Sequence, residues 1–249
     1  MMPNFWTRNE LILAFNLYCR TPFGRIHTRN PEIITLAALL GRTPSAVSWK
    51  LANFARLDPS LKARKVAGAA HGSKQEMDIW KEFNDDWDKL AFESESLLLT
   101  LKSAEAGETF SFPEGKTRQS LVRTRINQGF FRAAVLASYE GKCCITGIPV
   151  AELLVASHIV PWSKDSKNRT NPRNGLCLSA MHDKAFDCGL ITVTPDCRVK
   201  LSPRLRELRR SPGIAEYFLK FEGSPLTAPR RFAPDRAFLE YHNDHIFQR

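Results

Sequence analysis

Apolar residues recur at helical spacing through residues 5–57. Thr7, with Glu10 three positions on, forms a capping-box pattern ahead of Leu11-Ile12-Leu13-Ala14-Phe15 and predicts a first helix. The turn-rich Arg20-Thr21-Pro22-Phe23-Gly24 ends it. Asn30-Pro31 puts proline at the first position of a second helix that runs to Leu40. Gly41 closes that helix, and Thr43-Pro44 opens a third that continues through Ser45–Phe54. Val66–Ser73 is too rich in small residues to build an apolar face and reads as a connection. An acidic helical stretch follows over Glu76–Leu101, with Trp80, Phe83, Trp87, Leu90 and Phe92 at roughly helical spacing. Ala106-Gly107-Glu108 and Pro113-Glu114-Gly115 are loop signals. From Ser120 a further helix carries Arg123, Arg125, Gln128 and Arg132 on one side and Phe131, Val135, Leu136 and Tyr139 on the other. It ends at Glu140-Gly141, before the strand-like Cys143–Thr146. A short apolar strand then ends in His158, and a polar turn runs to Asn174-Gly175. A second strand spans Leu176–Ser179, and a helix opened by Ser179 or Met181 closes at Gly189.

The second and third helices have helix-turn-helix spacing. Ala37 lies four residues before Gly41, where a small side chain permits close approach, and Val47 and Leu51 face inward four apart. The outward positions Ser45, Ser48, Trp49 and Lys50 are candidates to enter a major groove. The string Gly-Arg-Thr-Pro-Ser-Ala-Val-Ser-Trp-Lys-Leu resembles the turn and recognition helix of bacterial repressors.

Composition narrows the classes. Across 249 residues, 43% hydrophobic and 25% charged content describes a globular chain and argues against wholesale disorder. No run approaches the roughly 20 apolar residues of a membrane span, and the first residues lack a secretory pattern, so a cytoplasmic protein is expected. Thirty-six Lys and Arg against 26 Asp and Glu give a net charge of +10. Residues 1–60 carry +4, residues 61–110 carry −3 and residues 111–249 carry +9, so two basic blocks flank an acidic middle. A polyanion such as double-stranded DNA is the favoured partner. The six cysteines include no C-x-x-C pair and read mostly as small buried hydrophobes.

The chemistry concentrates in three ordered strings: Ala156-Ser157-His158-Ile159-Val160-Pro161, Asn174-Gly175-Leu176-Cys177-Leu178, and His182-Asp183-Lys184-Ala185-Phe186-Asp187-Cys188-Gly189-Leu190. Together they resemble the HNH endonuclease family, over about residues 120–249. Joined to the helical reading of the first residues, the resemblance gives an α+β chain: an N-terminal helical, helix-turn-helix-like domain (1–60), a linker and amphipathic helix (61–115), and a C-terminal ββα-metal nuclease domain (116–249). It implies His158 as general base, Asn174 as the residue that braces the hairpin and orients the His158 ring, and His182 and Asp187 as metal ligands. Asp183 could also ligate, but its place near the helix N-terminus reads first as a carboxylate that complements that end.

Phosphodiester hydrolysis asks for such residues. A neutral imidazole can take a proton from water, and one divalent ion can neutralise charge on the phosphate and the leaving oxygen. Mixed nitrogen and oxygen ligands favour Mg²⁺ or Mn²⁺ and admit Zn²⁺ or Ni²⁺. The resemblance thus implies a restriction-type DNA endonuclease, open to dependence on methylated or modified bases, that leaves 5′-phosphate and 3′-hydroxyl ends. A homodimer would serve cleavage of both strands. Ser45, Ser48, Trp49, Lys50, Arg125 and Arg132 are the expected DNA contacts. Ser157 stands where many HNH enzymes carry a ligand before the catalytic histidine. The alternative is therefore a DNA-binding regulator with a vestigial nuclease core.

Overall fold

The computed structural model describes residues 5–64, 72–107 and 116–249. Most of the expected connection at Val66–Ser73 and the loop signal at Pro113-Glu114-Gly115 lie outside the described residues. The chain divides into two compact units, Met1–Ala137 and Ser138–Arg249.

The first unit is helical: α1 (Arg8–Arg20), α2 (Pro31–Leu39), α3 (Pro44–Ala55), α4 (Pro59–Ala63), α5 (Lys74–Phe83), α6 (Trp87–Glu105) and α7 (Lys116–Ser138), whose last residue belongs to the second unit. Thr7 and Glu10 form the expected reciprocal capping box on α1. Every residue from Leu11 to Cys19 is buried, because α1 is apolar on nearly all sides and must be enclosed by its neighbours. Phe15 sits at the centre, its ring centroid 4.9 Å from Phe54 of α3 and 5.3 Å from Trp80 of α5. The one amide in this run, Asn16, is satisfied by the Ser94 hydroxyl at 2.7 Å. Asn30 and Thr43 cap α2 and α3, each ahead of its proline. Gly41 turns between them at φ +61°, a conformation that suits glycine.

The acidic stretch Glu76–Leu101 is two helices rather than one. Asn84-Asp85-Asp86 breaks it, and the Asp86 carboxylate accepts the Lys89 amide at 3.1 Å as the cap of α6. Short polar residues satisfy the freed amides at such a break, which favours two capped helices over one continuous one.

At the start of the second unit Cys143–Thr146, expected as a strand, forms a turn. The Gly147 amide donates to the Cys143 carbonyl (2.9 Å) and the Cys143 amide to the Ile148 carbonyl (3.0 Å), so the segment folds back on itself, while the Cys144 amide donates to the Cys177 carbonyl of the strand Gly175–Ser179 (2.8 Å). Strands β1 (Leu154–His158) and β2 (Gly175–Ser179) pair antiparallel, with Ala156 opposite Cys177 and His158 opposite Gly175. Helix α8 (Ala180–Asp187) follows without a loop and packs on both strands. A second antiparallel pair, β3 (Ile191–Val193) and β4 (Val199–Leu201), leads to α9 (Pro203–Glu207), α10 (Pro212–Tyr217) and α11 (Arg236–His245). Gly189 closes α8 at φ +68°, and a Cβ there would lie 2.1 Å from the Ile246 carbonyl oxygen. The C-terminal segment thus packs directly on the end of α8. Among the described residues no helix is long and apolar enough to cross a membrane.

Candidate active site

The second unit places its chemistry at the end of β1. All five residues of β2 are buried, whereas in β1 Val155, Ala156 and His158 stay partly exposed, and Val155–His158 line a cleft with α8. The cleft holds about 410 Å³, and its walls include Ser157, His158, Trp162, Asp183, Asp187 and His242.

His158 ends β1 with its ring half-buried. Its Nε2 lies 2.9 Å from the Arg169 carbonyl oxygen. A carbonyl can only accept, so Nε2 carries the proton and Nδ1 is the basic nitrogen of the neutral ring. Burial pushes the imidazole pKa below its ordinary value, against the raising influence of the Arg169 carbonyl and the Asp183 charge. The ring meets Trp162 edge-on at 5.5 Å.

Asn174 is buried just before β2, and its carboxamide serves the loop. Its Oδ1 accepts the Val160 amide at 2.8 Å, while Nδ2 donates to the carbonyls of Val160 (3.1 Å) and Asn168 (3.3 Å). These bonds tie the loop across the hairpin. The orienting bond to the His158 ring comes instead from the Arg169 carbonyl.

Helix α8 separates two residues that are neighbours in sequence. With roughly 3.6 residues per turn, Asp183 and Asp187 share one face and His182 points away from it. Asp183 and Asp187 line the cleft. Burial raises the pKa of both carboxyls, and the charge of Asp183 adds to the rise at Asp187. His182 is absent from the cleft wall. It is buried, its Nδ1 is 2.9 Å from the Ser179 hydroxyl, and its ring lies against Phe218 (5.3 Å) and Phe221 (5.7 Å). Its Nε2 faces the Tyr217 backbone without a hydrogen bond of ordinary geometry. The structure therefore brings His158 and Asp187 to one cleft, adds Asp183, and sends His182 into the core.

Asp183 does occupy the first turn of α8, but its side chain belongs to the cleft. Its spacing of four from Asp187 is the sequence signal for this. The Ser157 hydroxyl, also buried, lies near enough to favour the charged form of Asp183, again without a bond of ordinary geometry. Two carboxylates and a buried hydroxyl of unused capacity suit a hard divalent ion such as Mg²⁺, which takes one or two carboxylates and fills its remaining positions with water and phosphate. Among the described residues no group of three His, Cys, Asp or Glu is arranged to hold a metal ion.

No motif in the sequence assigns a role to His242. It is buried on α11, stacked 3.7 Å from Phe186, with Nδ1 2.8 Å from the Thr192 hydroxyl and Nε2 3.1 Å from the Phe186 carbonyl. Arg231, in the basic pair Arg230-Arg231, is wholly buried.

The other candidates belong to the first unit. Ser45 and Trp49 are exposed on α3 and Ser48 is half-exposed, with Trp49 at 63%. Lys50 is drawn inward: its ammonium pairs with the fully buried Glu76 of α5, and it lies 5.1 Å from the Trp6 ring. Arg125 and Arg132 are exposed on α7.

Residues 143–194 match the HNH_2 model, described as HNH endonuclease. The matched stretch contains the 143–148 turn, β1, β2, α8 and β3, a narrower span than the 120–249 of the motif resemblance. No curated protein matches the chain.

Proposed function

We propose that the second unit is a divalent-metal-dependent endonuclease domain that hydrolyses phosphodiester bonds in DNA. The observation that carries this reading is the single cleft shared by His158, Asp183 and Asp187 within the HNH-matched ββα segment. His158, kept neutral by burial, takes a proton from water through Nδ1. Asp183 and Asp187 would hold the ion, with Ser157 beside them. When bound, the ion supplies charge neutralisation at the phosphate and the leaving 3′ oxygen. Departure of that oxygen leaves 5′-phosphate and 3′-hydroxyl ends. Asn174 keeps β1, the loop and β2 in register, so the base keeps its place.

The chain's +10 charge supports a polyanionic substrate. In the first unit, Ser45, Ser48 and Trp49 on the outer face of α3 are the candidate DNA-reading residues, with Arg125 and Arg132 as phosphate contacts. A restriction role, sensitivity to base modification and pairing of two copies for double-strand cleavage belong to the same proposal. The test is supercoiled plasmid from methylating and non-methylating hosts, incubated with Mg²⁺, Mn²⁺ or EDTA. Metal-dependent cleavage should vanish in His158→Ala and Asp187→Asn. Cleavage that survives both substitutions would end the assignment of this cleft.

Ser157 and the lack of a three-member ligand set among the described residues favour one rival, a DNA-binding regulator on a vestigial core. Its outcome in the same experiment is DNA retained in a gel shift and uncut under every metal.

A further inference from the structure

The loop between β1 and β2, residues 159–174, forms no strand, yet it must deliver one carbonyl oxygen to His158. Backbone in such a loop is ordinarily the least fixed part of a fold. Here four Asx residues three apart, Asp165, Asn168, Asn171 and Asn174, tie it together. Asp165 accepts from the amides of Lys167 (3.0 Å) and Asn168 (3.1 Å) and from the Asn168 carboxamide (2.7 Å). Asn168 in turn accepts from Asn171 at 2.9 Å, and the Asn168 carbonyl accepts from Asn174. The residue preceding Arg169 is therefore held at its side chain and its backbone.

Arg169 completes the circuit. Its Nε donates to the Trp162 carbonyl at 2.9 Å, and its guanidinium lies 5.2 Å from the Trp162 ring centroid. That ring stands nearly perpendicular (84°) to His158. Arg169 thus clasps Trp162 with its side chain while its own carbonyl holds His158 Nε2. We infer that Arg169 is a positioning residue whose clasp on Trp162 fixes its carbonyl on His158, and so fixes the ring tautomer that leaves Nδ1 as the base. The inference rests on the reading of His158 as the base, but the tautomer can be measured without any cleavage. A lysine cannot replace this arrangement, since it lacks both the directed Nε–H and the planar face that stacks on indole.

The experiment is imidazole ¹⁵N NMR on the full chain, at a pH where His158 is neutral, with His242 as an internal reporter of the fold. In the parent protein His158 should show the Nε2–H pattern alone. In Arg169→Lys its two nitrogen shifts should move towards each other as the Nδ1–H form becomes populated, with His242 unchanged. An unaltered Nε2–H pattern in Arg169→Lys would overturn the inference, whatever Arg169→Ala does. Where cleavage is present, kcat should fall about ten- to a hundredfold with KM nearly constant, as expected for a displaced general base. A change confined to KM would count against it. Absence of cleavage in the parent would fall on the nuclease reading and leave the tautomer result standing.

Discussion

Asn174 grips Val160 with both ends of its carboxamide, accepting from the amide at 2.8 Å and donating to the carbonyl at 3.1 Å. Both partners are buried, so no water can replace a lost bond cheaply. Asn174→Ala should lower the stability of the second unit by about 2–4 kcal/mol, from three lost bonds, two of which strand the buried backbone groups of Val160. Asn174→Asp should cost at least as much, because an ionised carboxylate would face the Val160 carbonyl with no hydrogen to offer. Urea denaturation followed by the fluorescence of Trp162, the only tryptophan in that unit, reads the loss.

His182 and Asp183 differ by one position and should separate two properties. His182 contributes packing against Phe218 and Phe221 and a bond with Ser179. His182→Ala should therefore destabilise the unit by roughly 2–4 kcal/mol, the range for emptying a large buried site. At a temperature where it is folded, it should bind Mn²⁺ within about threefold of the parent. Asp183→Asn should do the reverse, with the fold kept and the affinity for Mn²⁺ lowered tenfold or more, since it removes one of two charged ligands. Mn²⁺ titration by electron paramagnetic resonance distinguishes them. Strong loss of Mn²⁺ binding in folded His182→Ala would restore the histidine as a ligand.

That pair marks where the sequence stops being legible. Helices α1, α2 and α3 announce themselves through local chemistry: the Thr7–Glu10 box, Asn30-Pro31 and Thr43-Pro44 all act within one turn of backbone. The same holds for β1, β2 and the Ser179 start of α8. Which face of α8 meets the cleft is decided by how the helix packs on β1 and β2, so the resemblance put His182 ahead of Asp183 as a ligand although Asp183 is the one that lines the cleft. His242 and Arg231 are the same case, since their burial depends on contacts with segments tens of residues away, such as Phe186 and Thr192 for His242. The 84–86 break was readable in principle, because Asn84-Asp85-Asp86 is a run of cap-formers, but the aromatic spacing across it masked the signal.

His242 should make the second unit acid-sensitive. Burial pushes its pKa down to about 4, while an unfolded histidine titrates near 6.5. The folded ring is neutral, donating to the Phe186 carbonyl and accepting from the Thr192 hydroxyl. The unfolded chain therefore binds the extra proton first. Stability is full above about pH 6.5 and falls as pH drops from there to about 4, by on the order of 3 kcal/mol. Hydrogen exchange of the β3 and α11 amides between pH 7 and 4.5 should show this slope. In His242→Gln, whose amide can still donate to the carbonyl, the slope should flatten. An equal slope in both proteins would assign the acid sensitivity to other groups.

Glu76 should be the electrostatic keystone of the first unit. Its side chain is fully buried, yet it accepts from Asn53 at 2.9 Å and from the Ser73 amide at 3.0 Å, pairs with Lys50, and lies 3.9 Å from Arg56. Lys50 is itself only 12% exposed, so removing the carboxylate strands a cation that cannot simply turn to water. Glu76→Ala should therefore destabilise the unit by about 3–5 kcal/mol, the range for breaking one side of a buried pair. The double variant Glu76→Ala/Lys50→Met should recover part of that loss, since no unpaired ammonium remains between α3 and α5. Urea denaturation of the parent, both single variants and the double variant measures the coupling. Additive losses in that cycle would mean that Lys50 and Glu76 do not depend on one another, and would return Lys50 to the group of residues able to face DNA.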